Sequence, residues 1–161
     1  MTTHLDHKTA FGYFRMGLVT GLLDKRAPVV WADEQIISSS TPTSEIIELS
    51  LSGNRLYSEI IWLLSYFEGK PSDELSLKLL LARAGVLLES DPGRAPDLIM
   101  GLRLLNEEEY LSKEIKNQLT DLKRHLEQHA QASLSFQELV ERLTGFLNKY
   151  TAYRPQLAQL A

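Results

Sequence analysis

Phe11, Phe14, Leu18 and Leu22 recur at spacings of three and four, which predicts an amphipathic helix over about residues 9–23. Beside that stripe lie Ala10, Gly17 and Gly21, small residues that let a neighbouring helix approach closely. Pro28 suits the first turn of a second helix reaching about residue 39, and the polar stretch 38–43 around Pro42 reads as a loop. A short third helix over about residues 44–52 takes Thr43 or Ser44 as its cap and ends at Gly53. Asn54 is placed to cap a fourth, over about 55–68, closed by Gly69 and Pro71.

Ser72 caps the fifth predicted helix, over about 73–90, with Asp73 and Glu74 where the helix dipole favours negative charge. This segment is apolar almost all round. Only Ser76, Arg83 and Ser90 form a polar line, so the helix is expected at the centre of the fold with Leu80 and Leu87 buried. Pro96 opens a sixth helix through about residue 105. The seventh, over about 107–131, carries a coiled-coil-like seam of Ile115, Leu119, Leu122 and Leu126. Ser135 and Glu138 have the spacing of a capping box, and Phe136, Leu139, Val140, Leu143, Leu147 and Tyr150 follow as the buried face of the last helix.

Strand alternation and Asn-Gly or Asp-Gly hairpin turns are missing, so the class is all-α. The expected architecture is an irregular multi-helix bundle of about seven to eight helices, with solenoid-like helix pairs as the alternative, although no fixed-period repeat is visible. A length of 161 residues suits one all-helical domain over 1–161, with flexible ends expected near 1–7 and 153–161.

Composition narrows the function classes. With no cysteine there is neither a disulfide framework nor a thiolate site. The polar start lacks the apolar core of a signal peptide, so a cytoplasmic location is expected. The most apolar stretch, 75–88, is interrupted by Lys78 and Arg83 and is too short to span a bilayer. A net charge of −4 without a dense basic stripe argues against nucleic acid.

Candidate chemistry is sparse. Asp121, His125 and His129 follow one another at steps of four, which gives a weak metal-ligating stripe, but the sequence between the histidines is not that of His-Glu-x-x-His. His4 behind Thr2 and Thr3 is a second weak metal candidate, with His7 nearby. No Gly-x-Ser-x-Gly elbow or phosphate-cradling glycine loop occurs, and the expectation is a non-enzyme without cofactor. Asp33 lies among Val29, Ile36 and Ile37, and Arg15 flanks the apolar stripe of the first helix; a buried charge needs a partner, so the two are expected to form an ion pair docking these helices.

The fourth helix carries the clearest interaction signal. Leu56, Ile60, Leu64 and Phe67 point one way, while Trp62 and Tyr66 point nearly opposite and share their side with Arg55. Trp, Tyr and Arg are enriched at binding hot spots, so these three are the candidate partner-binding residues unless the helix is sandwiched with both faces covered. The functional expectation is a protein-binding module, such as an immunity- or antitoxin-like neutraliser or an adaptor. A small-ligand- or metal-dependent helical enzyme and a structural homo-oligomer held by the seventh helix are the alternatives.

Overall fold

The computed structural model describes residues 4–70, 74–109 and 111–161. Eight α-helices occur there: α1 (His7–Thr20), α2 (Arg26–Ser38), α3 (Ser44–Ser50), α4 (Tyr57–Glu68), α5 (Leu75–Ser90), α6 (Ala95–Leu102), α7 (Lys113–Ala130) and α8 (Phe136–Leu147). Pro92–Arg94, Arg103–Glu107 and Asn148–Leu160 wind as 3₁₀ turns, and no strand occurs among the described residues. The all-α reading holds. Helix α1 packs on α4, α5 and α6, partners far apart in sequence, so the assembly is a bundle. In a solenoid each unit would touch only its neighbours.

Helix ends follow local hydrogen bonding more closely than hydrophobic period. Asp6 accepts the amide of Lys8 at 2.9 Å and starts α1, whereas Gly21, at φ 75°, takes the left-handed conformation that stops it. Gly21 is thus a terminator, and of the two glycines only Gly17 packs closely, against the side chain of Leu23. The fourth helix starts at Tyr57 with Leu56 at the cap position, two residues later than Asn54 would have set. The seventh starts at Lys113 because the Ser112 hydroxyl accepts the amide of Ile115. Expected caps at Ser72 and a first turn at Asp73 lie outside the described residues.

The expected capping interaction at α8 is present in part: Ser135 Oγ accepts the amide of Glu138 at 3.1 Å and donates to its carboxylate at 3.2 Å. Phe136, at the first position of that helix, is exposed and meets His129 edge-on, so it leaves the buried face to Leu139, Leu143 and Leu147. The α7 seam is used internally: Ile115, Leu119 and Leu122 are buried in the chain's own core, where α6 and α8 pack on α7.

Helix α5 is the hub. Leu77, Leu79, Leu80 and Leu81 are all fully buried, and α1, α6, α8 and the 3₁₀ run Asn148–Leu160 surround them. Leu87 departs from expectation and is only half-buried, because Leu88 takes the inward position near the end of the helix. Leu5, Leu157 and Leu160 are buried, and the Leu5 amide donates to Gln159 Oε1 at 2.9 Å.

Two glycines give opposite predictions. A Cβ on Gly101 would collide with the main-chain carbonyl of Thr20, so Gly101→Ala should destabilise by about 1–3 kcal/mol through overpacking of α6 on α1. Gly145 sits within α8, exposed, with nothing near its would-be Cβ. Gly145→Ala should therefore stabilise by up to about 1 kcal/mol from helix propensity alone. Urea midpoints of the two variants should move in opposite directions.

Candidate functional site

Helix α4 is fixed by one apolar stripe. Ile60, Leu63 and Leu64 are buried, and Phe67 is half-buried with its ring 5.5 Å from that of Phe11. Because successive residues turn by 100°, Trp62 and Tyr66 must then face away from the core. They do: Trp62 is 66% exposed and Tyr66 72% exposed, and their rings stack at 5.8 Å between centroids with 13° between planes. The sandwiched alternative is set aside by these exposures.

Arg55 does not share this face as expected. It precedes the first turn of α4, its guanidinium reaches Glu48 on α3 at 3.8 Å, and its carbonyl accepts Lys25 Nζ. Leu56, expected inward, is exposed at the cap position. The structure therefore brings Trp62 and Tyr66 together and directs Arg55 to a neighbouring helix.

The expected pair of Arg15 with Asp33 is not formed. Arg15 Nε and Nη2 donate to the Glu68 carboxylate at 3.2–3.3 Å, and Nη1 donates to Glu108 Oε1 at 2.5 Å. Side-chain exposure is only 11% for Arg15, 7% for Glu68 and 17% for Glu108. Asp33 is exposed on α2, where it accepts a hydrogen bond from Ser50 of α3. The reason is the phase of α2: its buried side is Pro28, Trp31 and Ala32, while Ile37 is exposed, so Asp33 faces outward.

Gly12 makes room for the Arg15 network. A Cβ there would stand 2.6 Å from Glu68 Oε2 and 2.7 Å from Ser76 Oγ, so the missing side chain lets the carboxylate lie on the backbone of α1. Burial pushes the Glu68 carboxyl up, against the opposing pull of Arg15, and the neighbouring Glu108 charge adds to the rise. Burial works to lower Arg15, but its hydrogen bonds to Glu108 and Glu68 outweigh that, leaving it raised and charged. Arg15, Ser65, Glu68 and Lys70 line a cleft of about 530 Å³ with the Glu107–Glu109 run.

The histidine stripe of α7 is engaged elsewhere. His125 Nε2 lies 3.1 Å from Arg142 Nη1 and must accept there, which requires the neutral ring; burial first, then Arg142 and Arg124, hold its pKa down. His129 Nδ1 meets the Leu134 carbonyl at 3.0 Å, and Asp121 pairs with Arg124 at 3.2 Å. Among the described residues no three His, Asp or Glu side chains gather in a metal-ligating group. His4 and His7 border a cleft of about 440 Å³ beside Trp31 and Glu34, while Thr2 and Thr3 lie outside the described residues.

Sequence spacing could not have found the partners of Arg15, since Glu68 and Glu108 are 53 and 93 residues away. It did single out Trp62 and Tyr66, because their outward phase follows from the stripe opposite. No helix among the described residues is long and apolar enough to cross a membrane. No protein-family description matches the chain, and neither the curated proteins nor the solved structures yield a match to it.

Proposed function

We propose that this chain is a non-enzymatic protein-binding module, an adaptor or neutraliser that acts by occupying a partner's surface through the outer face of α4. The observation that carries this reading is the exposed stack of Trp62 on Tyr66. Large aromatic side chains left in water forgo a substantial burial energy, and stacking holds the two rings in one arrangement before any partner arrives. Such rigid aromatic anchors are the groups that dominate binding energy at protein interfaces.

The test uses one variant and one crosslink. Trp62→Ala should leave the free energy of unfolding, read from urea denaturation, within about 0.5 kcal/mol of the parent, as expected for an exposed position. A photo-crosslinking amino acid at position 66 should capture a discrete protein adduct in source cells, and Trp62→Ala should abolish that adduct while the same crosslinker at exposed Glu141 captures none. A large stability loss for Trp62→Ala, or equal capture at both positions, would overturn the proposal.

A further inference from the structure

Two clefts meet where the start of α1, the end of α2 and the Asn148–Leu160 run come together. One is of about 440 Å³ and the other of about 260 Å³, and His4, His7, Gln35 and Ser38 line both, so they are two halves of one groove. The His7 ring is held edge-on to Trp31, 5.5 Å between centroids. The bond from the Leu5 amide to Gln159 Oε1 ties the wall supplied by the C-terminal run to the start of α1. None of the described lining residues belongs to α4, so the groove is not the Trp62–Tyr66 face.

The two halves differ in chemistry. The larger is floored by the buried side chains of Leu5, Ala10, Trp31 and Leu160, with the exposed Glu34 at its edge. Among the described residues lining the smaller half there is no Asp, Glu, Lys or Arg; the hydroxyls of Ser39, Thr41 and Thr43 stand there with the imidazoles. Ser39 Oγ accepts the Thr41 amide at 3.2 Å and Thr43 Oγ1 accepts the Ile46 amide at 3.4 Å, so each keeps its own hydroxyl hydrogen to donate. Ser38 spends its hydrogen on the Glu34 carbonyl. Asp6, between the histidines in sequence, caps α1 and lines neither half.

A wall of hydroxyl and imidazole donors without a carboxylate suits a group that only accepts hydrogen bonds and carries negative charge, since bonds to an ionised acceptor are about twice as strong as neutral ones. An apolar floor beside a few convergent polar groups is the usual make-up of a small-molecule site. We propose that the groove binds a small amphiphilic oxyanion, a phosphate monoester or a carboxylate. Its head lies among His4, His7, Ser39, Thr41 and Thr43, and its apolar body lies over Trp31. Glu34 fixes the direction, because its charge repels the head from the larger half and leaves that half to the body.

The experiment titrates the full chain, labelled with ¹⁵N, with phenyl phosphate, phenylacetate, benzyl alcohol, benzylamine and inorganic phosphate. The two tryptophans give two indole N–H resonances, and Trp62→Ala assigns them by removing one. At least one of the two aromatic anions should bind about tenfold more tightly than the alcohol or the amine, and the tighter of the two identifies the head group. Binding should move the Trp31 resonance and leave that of Trp62 in place. Inorganic phosphate, which has no body to cover the floor, should bind about tenfold more weakly than phenyl phosphate.

His4 and Thr41 are both exposed, so the double variant His4→Gln, Thr41→Val should keep the fold and lose about tenfold in anion affinity. Glu34→Gln should bind the anions as tightly as the parent or more so. Preference for benzylamine, or anion binding that the double variant does not weaken, overturns the proposal. So does a titration in which neither anion moves the Trp31 resonance. Inorganic phosphate binding as tightly as phenyl phosphate overturns the amphiphilic ligand.

Discussion

Arg15→Ala is expected to lower the free energy of unfolding by roughly 3–5 kcal/mol near neutral pH, because it strips the shared cation from two largely buried carboxylates. Glu68 and Glu108 would then face each other without compensation. The pH dependence identifies the cause. Glu68 titrates above its ordinary range in the folded chain, so its contribution is fully present below the unfolded value and is lost as pH rises through the folded one. Removing Arg15 takes away the group that opposes this rise, and the variant should lose stability over a wider span as pH increases. Urea denaturation at about pH 4 and pH 7 checks this, with the deficit relative to the parent shrinking at the lower pH. A deficit under about 1 kcal/mol at both would mean that the network behaves as a solvated surface pair.

Leu80→Ala should cost about 3–5 kcal/mol, the upper part of the range for a fully buried leucine. The side chain lies on α5, enclosed by α1, α6, α8 and the Asn148–Leu160 run, so relaxation of one neighbour cannot fill the void without moving several. Leu87→Ala, half-buried on the same helix, should cost only about 1–2 kcal/mol, since less apolar surface returns to water and solvent can enter the space left. The two variants have the same chemistry and helix propensity. Equal denaturation midpoints would contradict the central placement of α5.

Helix content was legible wherever one stripe of a segment was apolar, and the inward set Ile60, Leu64 and Phe67 led directly to the outward pair Trp62 and Tyr66. Where several phases fitted, the sequence was ambiguous. Helix α2 has apolar residues all round, and the choice between Ile37 and Trp31 as the buried side depended on α1 and α3, which pattern alone does not position. The error at Asp33 followed from that choice. The network at Arg15 was beyond local reading for another reason: ion-pair partners are selected by three-dimensional proximity, and neither Glu68 nor Glu108 has a sequence feature separating it from the other acids. Ser135 marked the start of α8 in the sequence, whereas the caps Asp6 and Ser112 lay outside the apolar periods that set the expected starts of α1 and α7, and nothing in the pattern signalled that residues 103–107 wind more tightly than an α-helix.

The packing of Asn148–Leu160 along α5 has a consequence for biosynthesis. The hub is translated more than fifty residues before part of its apolar covering, which is encoded after residue 147, so the nascent protein carries uncovered leucines until residues 148–160 are made. Folding therefore completes late, through contacts between segments separated by more than fifty residues, which slows the search and prolongs exposure to aggregation. Ribosome stalling or premature termination between residues 148 and 160 would produce a species that chaperones retain or proteases remove, even though α1–α8 had already been translated.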